Sequence, residues 1–207
     1  MPTLPNLTVT DPLTKVIGLQ SQYSADLIGL PIADPLLTWQ VTSSRSDAVQ
    51  VGYEISSIDE SGNVQASSPV ASSDQIEVLA AGHISKAREI RQLRVRIATQ
   101  YGWSDYSPLL TYETGLNSGN DLVGQAIGDN SDHSAPSPLL RKDFTAKKSV
   151  AKARIYAASE GLHTLYINGV NVTDEYFTPG WTSYDDRTTY LTYDVTKLVR
   201  DGANCFA

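Results

Sequence analysis

"QLRVRIATQYGWSDYSPLLTYETG", Gln92 to Gly115, is the stretch that decides the fold class. Leu93, Val95 and Ile97 occupy alternate positions, with Arg94 and Arg96 between them. A period of two describes a strand with one face in a core, so the arginines are expected to face water. Gly102 marks a turn before Tyr106, and a further strand is expected from Leu109 to Glu113. Upstream, "LLTWQV" (36–41) and "AVQVGYEIS" (48–56) extend the pattern, the latter with Val49, Val51, Tyr53 and Ile55 in alternation. "DESGN" (59–63) is a turn cluster, and Ile76 and Val78 in "SDQIEVLAAG" suggest another strand. Short strands with turns between and no helical period describe an antiparallel sandwich.

The whole chain has 207 residues, long enough for one large or two small domains, and two are expected. A hydrophobic share of 41% and a charged share of 19% fit a folded protein rich in turns. The formal net charge of -7 argues against nucleic acid, whose binders concentrate Lys and Arg on one face. No run approaches the ~20 apolar residues that span a bilayer, so no membrane partner is expected. The single cysteine, Cys205, excludes an internal disulfide. With no basic start followed by an apolar run, a cytoplasmic location is expected.

Four segments follow from these signals. Residues 1–20 read as a leader strand or arm, 21–116 as the first sandwich, 117–140 as a linker or ordered loop, and 141–207 as a second β module. The third is polar and rich in Gly and Pro, and its Pro-Ser-Pro end leads into the strand "LLRKDFTA". In the fourth, Ala153, Ile155 and Ala157 alternate in "VAKARIYAA", and Asn168-Gly169 in "LYINGVNV" is a strong hairpin signal, since both residues tolerate positive φ. Val195, Leu198 and Val199 share a helical face, so one short helix is expected in "DVTKLVRDGAN".

"LLTW" and "LRVRIATQYGWSDYSPLLTYETG" resemble the first tryptophan and last strands of a fibronectin type III-like domain, as found at the start of bacterial α-L-rhamnosidases. Leu93 stands where many such domains carry a tyrosine, so a tyrosine corner is not assumed. The match sharpens over Ala153 to Asn204. Asn168-Gly169, Pro179 to Thr182, Arg187, Tyr190 and Tyr193 to Thr196 resemble the jelly-roll module preceding the catalytic domain of that family. The fold class implied is all-β: two antiparallel β-sandwiches in tandem, the first fibronectin type III-like and the second an incomplete jelly roll. Only 66 residues follow Arg141, fewer than eight strands need, and "GANCFA" reads as the opening of a further strand. The "MPTLPN" start reads as natural.

The resemblance implies removal of terminal L-rhamnose with inversion, by two acids in a helical barrel. Inversion requires an acid and a base about 6.5–9.5 Å apart, and no run of paired amphipathic helices is found here, so no catalytic residue is assigned. The expected partners are a C-terminal catalytic barrel of the same parent chain and, through it, rhamnose-containing glycosides; the chain could also pair with a second copy. A stand-alone carbohydrate-binding sandwich is the alternative.

The segment "GWTSYDDRTTYLTYDVT" (180–196) holds the candidate site. In one reading Trp181, Tyr184 and Tyr190 meet the apolar face of a sugar while Asp185, Asp186 and Arg187 bind its hydroxyls. In the other, which the size of the rings favours, Trp181 and Tyr190 pack in a core or between domains and Arg187 pairs with Asp194 or Asp185. Calcium is the one cofactor kept open, since related jelly rolls hold it. Glu160 and Gly161 stand where an acidic and amide pair would be wanted, and Asp185-Asp186 is a poor ligand set. No metal ligand is therefore assigned. His83, His133 and His163 share no ligand spacing and read as surface or satisfied histidines, and Cys205 as an ordinary buried thiol.

Overall fold

The protein, a computed structural model, is described over residues 3–23, 27–128 and 136–207; His133 and part of the 117–140 segment lie outside the described residues. Two compact units divide the chain, Met1–Asn117 and Ser118–Ala207.

Unit 1 contains β1 (Thr14–Ser21), β2 (Leu36–Ser43), β3 (Gln50–Asp59), β4 (Val64–Ala66), β5 (Val78–Leu79), β6 (Ile90–Thr99), β7 (Gly102–Trp103) and β8 (Leu110–Glu113). One sheet has the order β1-β2-β5. The other runs β4-β3-β6-β7, with β8 also on β6, and all these pairs are antiparallel. Val16, Leu37 and Trp39 of the first sheet and Ile55, Leu93, Val95, Ile97 and Tyr112 of the second form one core. The alternation at Leu93, Val95 and Ile97 thus marks the inner face, where each fully buried side chain contributes about 1.5–3 kcal/mol.

The outer face departs from expectation. Arg94 and Arg96 are half-covered, not immersed in water. Arg94 lies 4.1 Å from the Tyr106 ring centroid, and Arg96 lies 4.9 Å from that of Trp103 while paired with Glu54. Rings and a carboxylate supply the partners that water would otherwise provide. Ile76 precedes β5 and is 73% exposed, so only Val78 of that pair faces the core. Gln50, in the β3 run, is buried: it accepts from the Trp39 indole (3.1 Å) and donates to the carbonyls of Ser72 and Asp74.

The residues read as a leader or arm contribute β1 and a strip bound beside β7. Trp103 donates its N–H to Val9 (2.8 Å), and Asp11 donates back to Trp103 (2.7 Å). Gly102 is required there: at φ +141, a Cβ would lie 2.8 Å from backbone atoms of Val9 and Thr10. A tyrosine tie also exists, on β8 in place of β6. Buried Tyr112 directs its hydroxyl to the carbonyls of Pro31 (3.3 Å) and Ala33 (3.4 Å), and burial pushes its pKa up to about 12.

Unit 2 begins with a short 3₁₀ turn (Gly119–Asp121) and continues through β9 (Lys142–Ala146), β10 (Arg154–Ala158), β11 (Tyr166–Ile167), β12 (Val170–Asn171), β13 (Tyr190–Asp194) and β14 (Gly202–Phe206). Sheet order is β12-β11-β14-β9 in one layer and β10-β13 in the other. Asn168 (φ 53) and Gly169 (φ 81) turn the β11–β12 hairpin as their sequence requires. The core is small: Ile167, Tyr193 and Val195, with Ile155, Leu191, Leu198 and Phe206 among those packed against it. One expectation fails here. Thr196 to Leu198 make a single turn and no helix is assigned, because Val195 and Leu198 reach the core from a loop. "GANCFA" does form a strand as its sequence suggests, β14, so of these readings the helix alone fails; β14 is a central strand held between β9 and β11.

Candidate functional site

The candidate residues of unit 2 lie on the loop joining β12 to β13. Thr178 anchors it: the His163 N–H donates to the Thr178 carbonyl (2.8 Å) and the Thr178 hydroxyl to the His163 carbonyl (2.8 Å). His163 is itself satisfied, as the sequence suggests, with Nδ1 2.9 Å from Ser159 Oγ and Nε2 3.4 Å from the Tyr193 hydroxyl. Burial lowers its pKa, favouring the neutral ring.

Farther along, residues 182–187 close on themselves. Ser183 donates its hydroxyl to Asp186 (2.9 Å), the Asp186 and Arg187 N–H groups reach the Ser183 carbonyl, and Thr182 donates to the Arg187 carbonyl (2.8 Å). Tyr184 is half-buried and its hydroxyl accepts from the Gly161 N–H (2.8 Å), tying this turn to the Glu160-Gly161 loop. Its oxygen serves the fold before any sugar. Asp185, Asp186 and Arg187 are exposed.

Trp181 is 89% exposed and takes no place in the core of its unit, which removes the core half of the packing reading for that ring. The cause lies in the loop, which is pinned on both sides of Trp181 by hydrogen bonds at Thr178 and Thr182 while the core takes Tyr193 and Val195. Tyr190 is half-buried, 6.3 Å from the Tyr156 ring. Arg187 is not the partner of Asp194: Arg154 takes that carboxylate at 2.8 Å. Burial would raise the Asp194 pKa, but hydrogen bonds from Thr196 and the charges of Arg154 and Lys197 hold it below its ordinary value.

Two aromatic residues escaped the sequence reading. Tyr176 is 87% and Phe177 78% exposed. With His163, Asn171, Asp174 and Glu175 they line a cleft of ≈ 320 Å³. The signal was present as adjacent aromatics just before Pro179, but alternation cannot tell an outward ring from an inward one in a loop. A shallower recess lies on the β9–β14 face, beside Arg141, Asp143 and Cys205. Cys205 is half-buried there, not enclosed.

Chemically, the arrangement supplies rings and carboxylates but no opposed acid and base on a rigid wall, since Asp174 and Glu175 are exposed neighbours on one loop. Asp185 and Asp186 do not fit calcium, which takes six to eight oxygens: Asp186 is engaged by Ser183, and among the described residues no group of three or more His, Cys, Asp or Glu converges.

Two family models match the chain. Residues 16–118 match the "Rha78A-like, N-terminal immunoglobulin domain", a sandwich of the same architecture as the fibronectin type III-like reading. Residues 148–207 match the "Alpha-L-rhamnosidase N-terminal domain". An α-L-rhamnosidase of Alteromonas sp. is 32% identical over 201 residues, covering 85% of this chain and 21% of that protein. One of Formosa agariphila is 35% identical over 113 residues, covering 49% of this chain and 12% of that protein. The solved α-L-rhamnosidase of Aspergillus terreus superposes with a TM-score of 0.77 at 27% identity, covering 93% of this chain and 23% of that one. The chain thus spans between about an eighth and a quarter of the length of these relatives. Matched through both of its units and in tandem order, the chain belongs to the N-terminal, all-β region of the α-L-rhamnosidase family.

Proposed function

We propose that this chain is the non-catalytic N-terminal region of an α-L-rhamnosidase, supporting a C-terminal catalytic barrel that releases terminal L-rhamnose from glycosides. One observation carries the reading: both units match N-terminal domains in tandem, while relatives of the whole chain extend far beyond them. The decisive experiment compares this 207-residue chain with the longer polypeptide encoded by the same gene on a chromogenic α-L-rhamnoside. Hydrolysis by the longer polypeptide and none by the chain is expected; turnover by the chain itself would defeat the proposal.

A second reading, a carbohydrate-binding sandwich, is favoured by the exposure of Trp181 beside Asp185, Asp186 and Arg187. Titration calorimetry with L-rhamnose, with and without calcium, separates the two. Saturable heat that Trp181→Ala abolishes supports binding, and its absence supports the scaffold.

A further inference from the structure

We propose that the aromatic loop Tyr176–Phe177–Trp181 is the surface on which the C-terminal remainder of the same parent polypeptide docks. This rests on the N-terminal-region reading above. Three large rings within six residues of chain are 87%, 78% and 89% exposed, whereas Trp39 and Trp103 are 2% and 1% exposed. Apolar surface concentrated in this way marks an interaction site, and aromatic side chains are enriched at the buried centre of interfaces.

The loop is also held in place. Beyond the paired His163–Thr178 hydrogen bonds, Val172 donates to the Leu165 carbonyl (3.0 Å) and Glu175 N–H to the Thr173 hydroxyl (3.1 Å). Phe177 has φ +59, a region unfavourable for a bulky residue, and still directs its ring to solvent. Strain retained without a burial gain inside the chain points to a gain outside it.

Charge selects the occupant. Asp174 and Glu175 precede the rings and Asp185 and Asp186 follow them, all exposed, with Arg187 beside the second pair. The complementary surface is an apolar recess with a basic or amide rim. A second copy meeting this face about a two-fold axis would set acid against acid. The relatives have three-quarters or more of their length outside the matched region, which is ample to supply such a surface.

The test is hydrogen exchange of residues 173–187, read by mass spectrometry in the 207-residue chain and in the longer polypeptide. Exchange at least tenfold slower in the longer polypeptide is expected. There the double variant F177S/W181S should remove the protection and lower the Tm, while leaving the Tm of the 207-residue chain unchanged. Equal exchange in both, in a longer polypeptide that hydrolyses rhamnosides, overturns the docking surface and leaves the proposed function standing. Protection of the isolated chain by L-rhamnose, or protection that rises with its concentration, also overturns it, in favour of a sugar or a second copy.

Discussion

Asn168 is one of the residues that mark the family in the sequence, and its role here is to pin the second sandwich together. Its amide donates to the Leu198 carbonyl (2.8 Å) and to Asn204 Oδ1 (2.9 Å), and its carbonyl accepts from the Cys205 N–H (2.9 Å). One side chain therefore joins the β11–β12 turn, the loop after β13 and strand β14. Asn168→Ala removes all three bonds, at about 0.5–1.5 kcal/mol each, and places alanine at φ 53, adding about 1 kcal/mol. Asn204 Oδ1 keeps a donor, the Arg200 N–H, so that loss is the smallest of the three. The sum is about 3 kcal/mol, equivalent to roughly hundredfold faster exchange of the Cys205 amide under native conditions. Asn168→Gly loses the same bonds without the φ penalty and should be milder by about 0.5–1 kcal/mol. Amide exchange by NMR is the suitable assay because Trp39 and Trp103 both report on unit 1, and the two units need not unfold together. A Cys205 amide in Asn168→Ala that exchanges within twofold of the parent rate would refute the pinning role.

Other outcomes are expected. Gly102→Ala should release the N-terminal strip, costing about 2 kcal/mol or more, seen as faster exchange and proteolysis over residues 5–11; an unchanged strip would count against the close approach. His83 is buried against Ser57, and burial lowers its pKa. Its folded pKa is depressed, so stability is full above the ordinary histidine value of about 6.5 and falls as pH drops below it, because the unfolded chain takes up a proton the fold resists. His83→Gln should flatten a urea-midpoint curve between about pH 6.5 and 5, and an identical slope would refute the assignment. Glu89 adds a second loss near pH 4 and below: burial would raise its pKa, but the Ser85 and Lys86 N–H groups and Arg91 hold it down. Glu89→Gln should weaken that acid limb. With Leu139, Tyr176, Phe177 and Trp181 exposed, the isolated chain should bind a hydrophobic dye; an absence of dye binding would contradict this.

Strand positions in both units were legible from local pattern. Leu93, Val95 and Ile97, or Ala153, Ile155 and Ala157, show a period that only a pleated strand satisfies, and Asn168-Gly169 names its turn because few residues accept positive φ there. The family marks were legible for the same reason, since several of them are structural: Asn168 pins, Tyr193 and Val195 fill the core, and Thr196 donates to Asp194 and Ala153 contacts close the strand ends.

What the fold alone decided is how each side chain is covered. Alternation says that two faces differ, but it cannot say that Arg94 and Arg96 meet the rings of Tyr106 and Trp103, or that Gln50 is enclosed by the Trp39 indole and two carbonyls. Nor could composition tell that Trp39 and Trp103 are interior while Trp181 stands in solvent. Burial is set by residues distant in the chain, brought near by sheet pairing and loop closure, so local sequence determined the strands of this protein and tertiary contact determined which of its rings remain available to a partner.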